Sequence, residues 1–139
     1  QLRRLTVNTT YWAGSGHIGG GMSVMDLLTI LYHKYMNIDL ENPDWEDRDR
    51  FVLSKGHAGV AYAPVLCDLG WNDTEQLKTF NLSGSKLGMH LDCNKVAGVD
   101  VSTGSLGHGL SLAAGIALSA RVNKKDYLTY VVTGDGELN

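Results

Sequence analysis

A run of β-branched and aromatic residues from Leu128 to Thr133 leads directly into Gly134-Asp135-Gly136. The run has no polar alternation, so it predicts a strand buried on both faces, as in the interior of a parallel sheet. Ligands of open α/β sheets bind outside the carboxyl ends of strands, where glycine allows a close approach to the backbone. A single carboxylate at that point suits a hard cation such as Mg²⁺ that also holds phosphate oxygens. A plain β-turn has the same residue preferences, so the rest of the chain must decide between the two interpretations.

The composition excludes several classes of protein. The chain has 139 residues and a net charge of -3, and no window holds a dense cluster of Lys and Arg, which argues against nucleic-acid binding. No apolar run approaches the ~20 residues that span a bilayer, so no membrane segment is expected. The two cysteines lack metal-ligand spacing, which favours a reducing, cytoplasmic compartment.

Apolar periodicity predicts the order helix, helix, strand, helix, helix, loop, helix, strand, which is an α/β domain whose parallel sheet is flanked by helices. In chain order, the expected bounds are helices 2–12 and 23–35, strand 51–54, a helix ending at 69, a short helix from 72 or 73 to 80, an irregular loop 81–101, a helix ending at 122, and strand 128–133.

Three further expectations concern burial and helix starts. Ser23 heads a capping-box-like sequence and is expected to open the second helix. The mixed charges of residues 44–50 predict a solvated connector. The helix ending at Val122 is apolar nearly all round and rich in small residues, so we expect it to be deeply buried, between subunits in an assembly.

Residues 14–19 contain a literal G-x-G-x-x-G, and Asp39 follows its last glycine by twenty residues. A dinucleotide fingerprint has this form, but it must follow a strand, and here a helix precedes it. The context therefore argues against a nicotinamide site.

Four of the five histidines, all except His33, lie in or beside glycine-containing loops: His17, His57, His90 and His108. Imidazole titrates near neutral pH and both donates and accepts hydrogen bonds, so it suits proton transfer and the binding of phosphates or sugar hydroxyls. None of these histidines has the short pairwise spacing of a zinc site. A structural hydrogen bond remains open for any single histidine, whereas the set as a whole favours function.

Four motifs together resemble transketolase, and the match extends over the whole chain. They are Gly14-Ser15-Gly16-His17 with Gly19, Leu53-Ser54-Lys55-Gly56-His57-Ala58, Thr103-Gly104-Ser105-Leu106-Gly107 and Gly134-Asp135-Gly136. The resemblance implies a thiamine-diphosphate-binding fold. It also implies that residues 1–139 are the N-terminal part of the diphosphate-binding (PP) domain, truncated at both ends.

The resemblance implies roles for residues at the cofactor. Asp135 would ligate Mg²⁺, Gly136 would lie against the diphosphate, and His57 would contact the diphosphate. The residues that would line the aminopyrimidine and thiazolium region are Gly104, Ser105 and Leu106.

The resemblance also implies that His17 and His90 face the sugar, where they bind hydroxyls and assist proton transfer. The sequence departs from single-chain transketolases at several positions: Ile18, Leu91-Asp92, Ser105 and His108. The Ser-Leu-Gly-His-Gly form is more similar to the N-terminal subunit of split, two-polypeptide transketolases. The changes beside His90 leave the acceptor sugar open.

The implied activity is transfer of a two-carbon ketol unit from a ketose phosphate to an aldose phosphate. It would require a downstream Asn that completes the metal site and a pyrimidine-binding domain or C-terminal subunit, in a dimer or heterotetramer. The alternatives are 1-deoxyxylulose-5-phosphate synthase, a 2-oxo acid dehydrogenase component, or a non-catalytic subunit of the same fold. Thr103-Gly104-Ser105-Leu106-Gly107 favours transketolase over the first two.

Overall fold

The computed structural model describes all residues, 1–139. Its elements are helices α1 (Leu2–Ala13), α2 (Ile18–Ile30), α3 (Gly59–Asp68) and α4 (His108–Val122), and strands β1 (Arg50–Leu53) and β2 (Thr129–Val132). A π-helical turn, Leu31–Tyr35, continues α2. The remaining short elements are 3₁₀ turns at Gly56–Ala58, Thr74–Thr79 and Asp135–Leu138.

The two strands pair in parallel, with Leu53 opposite Val132, which confirms the predicted α/β architecture. α3 is the centre of the core, because every residue from Gly59 to Cys67 is buried. Four aromatic rings pack together in this core: Tyr62 of α3, with Tyr32, Phe51 and Trp71.

The prediction for the start of the second helix was wrong. α2 begins at Ile18, five residues before Ser23, whose hydroxyl donates to the carbonyl of Gly20 at 2.8 Å instead of capping a helix. Glycine weakens helices, but a Cβ at Gly21 would lie 3.0 Å from Val60 and 3.3 Å from Ala61. Gly21 therefore allows α2 to pack closely on α3, and this packing outweighs its low helix propensity.

Burial differs from expectation at β2 and α4. Only Val132 of β2 is buried, so the strand is not covered on both faces within these residues. In α4 only Gly109, Ala113 and Ala120 are buried, while Leu118 is 60% and Val122 is 73% exposed. No other element of residues 1–139 packs over this side of α4, so its apolar face remains accessible here.

Residues 44–50 are only partly a solvated connector. Arg48 and Asp49 are buried, and Arg48 pairs with Asp100, which lies fifty-two positions further along the chain. The sequence pattern of mixed charges could not reveal this partner. The long loop predicted over 81–101 is confirmed, because it contains no helix or strand.

Candidate active site

The loops that follow β1 and β2 leave the sheet at the same edge. β1 leads into Ser54-Lys55-Gly56-His57, and β2 leads into Gly134-Asp135-Gly136. The backbone N–H of Ser54 donates to the carbonyl of Val132 at 2.9 Å, so the two loops separate immediately after this bond. The parallel register thus places two of the predicted motifs side by side.

The Thr103–Gly107 loop, which carries a third predicted motif, packs at the same edge of the sheet. The hydroxyl of Thr103 donates to the carbonyl of Leu53 at 2.5 Å. Gly56 packs so tightly on Thr103 that a Cβ there would lie 2.7 Å from its backbone. Glycine is therefore required at position 56, and the third motif lies against the carboxyl end of β1.

His17 and His57 are in direct contact. His17 precedes α2, and its ring meets the ring of His57 edge to face, with 5.2 Å between centroids. A Cβ at Gly20 would lie 3.5 Å from the ring of His57, so the first turn of α2 rests on that imidazole. The N-cap residues of α2 and α4, His17 and Gly107, make no side-chain cap, and the positive end of the helix dipole favours an anion at each start.

The long loop brings His90 to the same place. Its ring lies over Gly104, where a Cβ would be only 3.1 Å from the imidazole. The loop is pressed on the start of α3, since a Cβ at Gly59 would lie 2.6 Å from the carbonyl oxygen of Met89. His90 is itself exposed, with its ring available to a ligand.

The electrostatics of this edge favour an anion. The pKa of His57 is lowered, first by burial and then by the positive charges of His17, His90 and Lys55, against an opposing effect of Glu137. The ammonium of Lys55 donates to the hydroxyl of Ser23 at 2.9 Å and forms no ion pair with a carboxylate. An anionic group placed here would relieve the repulsion among these cations.

Asp135 is exposed, and its carboxylate has no hydrogen-bond or ion-pair partner in the chain. The glycine after it is open, because a Cβ at Gly136 would meet nothing within 4 Å. The chain holds no group of three or more His, Cys, Asp or Glu side chains arranged around a metal position. Asp135 is therefore free to supply one oxygen ligand, and the residues present fit a cation whose other ligands come from a diphosphate, water or a further segment.

Of the remaining predicted residues, Ser105 and Leu106 are exposed in the turn that precedes α4. The carbonyl of Ser105 accepts a hydrogen bond from the N–H of His108 at 3.3 Å. His108 is exposed as the first residue of α4 and contacts none of the other histidines. Three of the four loop histidines thus belong to one face, and His108 does not join them.

Glu137 lies among these loops and was not predicted from the sequence. Its carboxylate accepts hydrogen bonds from Ser54, Gly107 and Gly134. Burial alone would raise the pKa of Glu137, but these three bonds outweigh it and lower the pKa. An acidic residue two positions after Asp135, in the first turn of a helical segment, was the only available signal.

The largest cleft of the chain lies elsewhere, at the amino ends of the strands, and contains none of the predicted site residues; it is lined by residues that include Tyr35, Trp45, Lys125 and Tyr127. The candidate site is an open face at the carboxyl ends of the strands. The helices are too short or too polar for any of them to cross a membrane.

The α/β fold, with glycine loops, histidines and an exposed Asp at one sheet edge, is typical of domains that bind a phosphorylated cofactor. The family model described as "Transketolase, thiamine diphosphate binding domain" matches residues 1–139. The chain belongs to this family.

Relatives and solved structures support the same assignment. The chain is 42% identical to the 6-deoxy-6-sulfo-D-fructose transketolase subunit SqwG of Clostridium sp. (strain MSTE9), over 98% of this chain and 50% of that protein. It is 43% identical to an apulose-4-phosphate transketolase subunit of Phocaeicola vulgatus, over 97% of this chain and 48% of that protein. The structure of transketolase from Leishmania mexicana matches with a TM-score of 0.89 and 36% identity, over 99% of this chain and 22% of that one. The chain thus spans about half the length of these two transketolase subunits.

Proposed function

We propose that this chain is the N-terminal part of a transketolase subunit that transfers a two-carbon ketol unit from a ketose phosphate to an aldose phosphate, with thiamine diphosphate and Mg²⁺. The observation that carries the proposal is the meeting of His17, His57 and His90 at the sheet edge where the Asp135 loop begins. When bound, the cofactor supplies the carbanion chemistry, and the protein supplies binding, orientation and proton transfer.

Asp135 and His57 would hold the charged end of the cofactor. The free carboxylate of Asp135 would ligate Mg²⁺, and the open backbone at Gly136 would let the diphosphate lie against the chain. His57 would donate a hydrogen bond to the diphosphate, and the positive charges around it would favour that anion.

The Gly104–Leu106 turn and the remaining histidines would face the organic part of the site. Gly104, Ser105 and Leu106 would line the rings of the cofactor, with Gly104 already in contact with the ring of His90. His17 and His90 would bind sugar hydroxyls and move protons, because both rings are exposed at this face and imidazole can both donate and accept hydrogen bonds.

We further propose that a pyrimidine-binding C-terminal subunit or domain completes the site, in a dimer or heterotetramer. Two observations support this. The site is open on the side away from the sheet, and relatives of about twice this length are named as transketolase subunits. The exposed apolar face of α4 is a surface that such a partner could cover.

The two cysteines, one buried and one exposed, are both free, which fits a reducing cytoplasm.

The test is reconstitution of the complete subunit with its C-terminal partner. In the presence of thiamine diphosphate and Mg²⁺, we expect the complex to transfer a ketol unit between sugar phosphates. Chromatography of the product sugars measures this transfer. The matched variant is Asp135→Asn, which keeps the size of the side chain but removes its charge. Its complex should need a much higher Mg²⁺ concentration for activity than the wild type. A reconstituted complex that binds thiamine diphosphate but never transfers a ketol unit would instead support a non-catalytic subunit.

A further inference from the structure

The carboxylate of Glu137 joins three separate loops. Its Oε1 accepts hydrogen bonds from the Ser54 hydroxyl and from the N–H of Gly107, the latter at 3.1 Å. Its Oε2 accepts from the N–H of Gly134 at 2.8 Å. Ser54 follows β1, Gly107 precedes α4, and Gly134 follows β2, so one side chain contacts every loop that carries a predicted cofactor residue.

The three donors are themselves held firmly. Ser54 is fully buried, and a Cβ at Gly109 would overlap it, so the start of α4 is pressed on the end of β1. Gly107 has a φ of +88°, a left-handed conformation that only glycine adopts readily, and this directs its N–H. Glu137 therefore links donors whose positions are well defined, and it ties the turn at 134–138 to the other two loops.

We propose that Glu137 is a positioning residue of the cofactor site. It holds the Asp135-Gly136 segment, the Ser105-Leu106 turn and the approach to His57 at fixed spacing, without itself touching the cofactor. This inference rests on the proposed function, because it assumes that thiamine diphosphate and Mg²⁺ occupy these loops.

Charge as well as size is needed at this position. An ionised carboxylate only accepts hydrogen bonds, and all three neighbours are donors. In Glu137→Gln the side chain keeps its shape but carries an NH₂ group in place of one oxygen. Whichever way the amide is turned, the N–H of Gly107 or the N–H of Gly134 then faces a second donor. The substitution therefore breaks the link between loops with little change in packing.

The experiment uses the complete subunit together with its C-terminal partner. Calorimetric titration with thiamine diphosphate in the presence of Mg²⁺ should show about a tenfold higher Kd for Glu137→Gln. At saturating cofactor the KM for the sugar phosphate should stay near the wild-type value. The matched control is Glu75→Gln, whose exposed carboxylate pairs only with Lys78 and should leave the Kd unchanged.

A second measurement requires no cofactor at all. Hydrogen exchange followed by mass spectrometry should show faster exchange in Glu137→Gln over both 103–109 and 134–138. Ser54→Ala, combined with Glu137→Gln, should raise the Kd by less than the product of the two separate effects, since both residues belong to one link.

Several outcomes would overturn the proposal. A wild-type Kd in Glu137→Gln would do so, even with a lower Tm, because that result indicates a purely structural role. If exchange were faster only in residues 134–138, Glu137 would stabilise just its own turn and would not join the loops. If the wild-type complex does not bind thiamine diphosphate, the proposed function fails, and the exchange result alone decides whether Glu137 joins the loops.

Discussion

Arg48 and Asp100 form a buried ion pair, in which Nη2 of Arg48 lies 2.8 Å from Oδ1 of Asp100 and both side chains are less than 10% exposed. The other carboxylate oxygen of Asp100 accepts from the backbone N–H of Phe51 at 2.8 Å. The pair thus fixes the segment before β1 to the end of the long loop that carries His90.

We expect Asp100→Asn to lower the free energy of unfolding by about 3–5 kcal/mol, because it leaves a buried guanidinium without its counter-ion. Urea denaturation of the complete subunit, followed by tryptophan fluorescence, measures the loss. The control is Asp26→Asn, which breaks the exposed pair with Arg3 and should cost less than about 1 kcal/mol. Equal effects of the two substitutions would contradict the structural role of the buried pair.

His57→Ala should weaken the binding of thiamine diphosphate in the reconstituted enzyme. The substitution would remove the proposed hydrogen-bond donor to the diphosphate and should raise the Kd about tenfold or more. Calorimetric titration at saturating Mg²⁺ is the measurement, with His33→Ala as the control, since His33 lies in the turn after α2 and pairs with Asp68. An unchanged Kd for thiamine diphosphate would show that His57 does not contact the cofactor.

His17→Ala and His90→Ala should leave cofactor affinity nearly intact and lower kcat/KM instead. A group that binds the reacting sugar and also moves a proton contributes on the order of 10²–10⁴ in rate. Steady-state kinetics with a ketose phosphate donor tests both variants, and His108→Ala is the control outside the cluster. Full turnover by either variant would show that its histidine has no part in the chemistry.

The titration of His57 should depend on His17. Burial and neighbouring positive charges lower the pKa of His57, so we expect His17→Asn to raise that pKa towards the ordinary value. A pKa that is lower in the folded state means that the unfolded chain binds more protons between the two values. The free energy of unfolding should therefore fall as the pH drops from about 6.5 through the folded pKa.

NMR titration of the imidazole signals in the cofactor-free protein measures the shift in His17→Asn. Thermal unfolding across the same pH range tests its consequence for stability, and His57→Gln should flatten that dependence. If the pKa of His57 did not move in His17→Asn, the contact between the two rings would have no electrostatic effect.

Residues 1–139 alone should not catalyse ketol transfer and should bind thiamine diphosphate poorly. In the proposed site Asp135 would supply one ligand to Mg²⁺, which requires a near-ideal octahedron, and the chain holds no group of three or more metal-ligating side chains. Adding the rest of the subunit, its partner, thiamine diphosphate and Mg²⁺ should restore activity. Measurable turnover by residues 1–139 alone would contradict the proposal that a partner subunit or domain completes the site.

The motifs and the apolar runs were enough to predict the class of fold and the positions of its glycine-rich loops. The β-branched and aromatic run before Gly134 and the short apolar run before Ser54 predict strands, and both were confirmed as parallel strands. Parallel strands end at one edge of a sheet, so their glycine-rich continuations had to meet. The family assignment followed from the same motifs, because their order and spacing can be seen without knowledge of any contact.

The pairing of polar groups and the burial of helices depend instead on contacts between segments that are far apart in the chain. The start of α2 depends on how closely Gly21 packs against α3, and the burial of Arg48 depends on Asp100. Glu137 accepts a hydrogen bond from Ser54, which lies eighty-three positions earlier in the chain. Local patterns carry no information about partners at such separations, since the energy of a buried charge is set by the groups that the fold brings beside it.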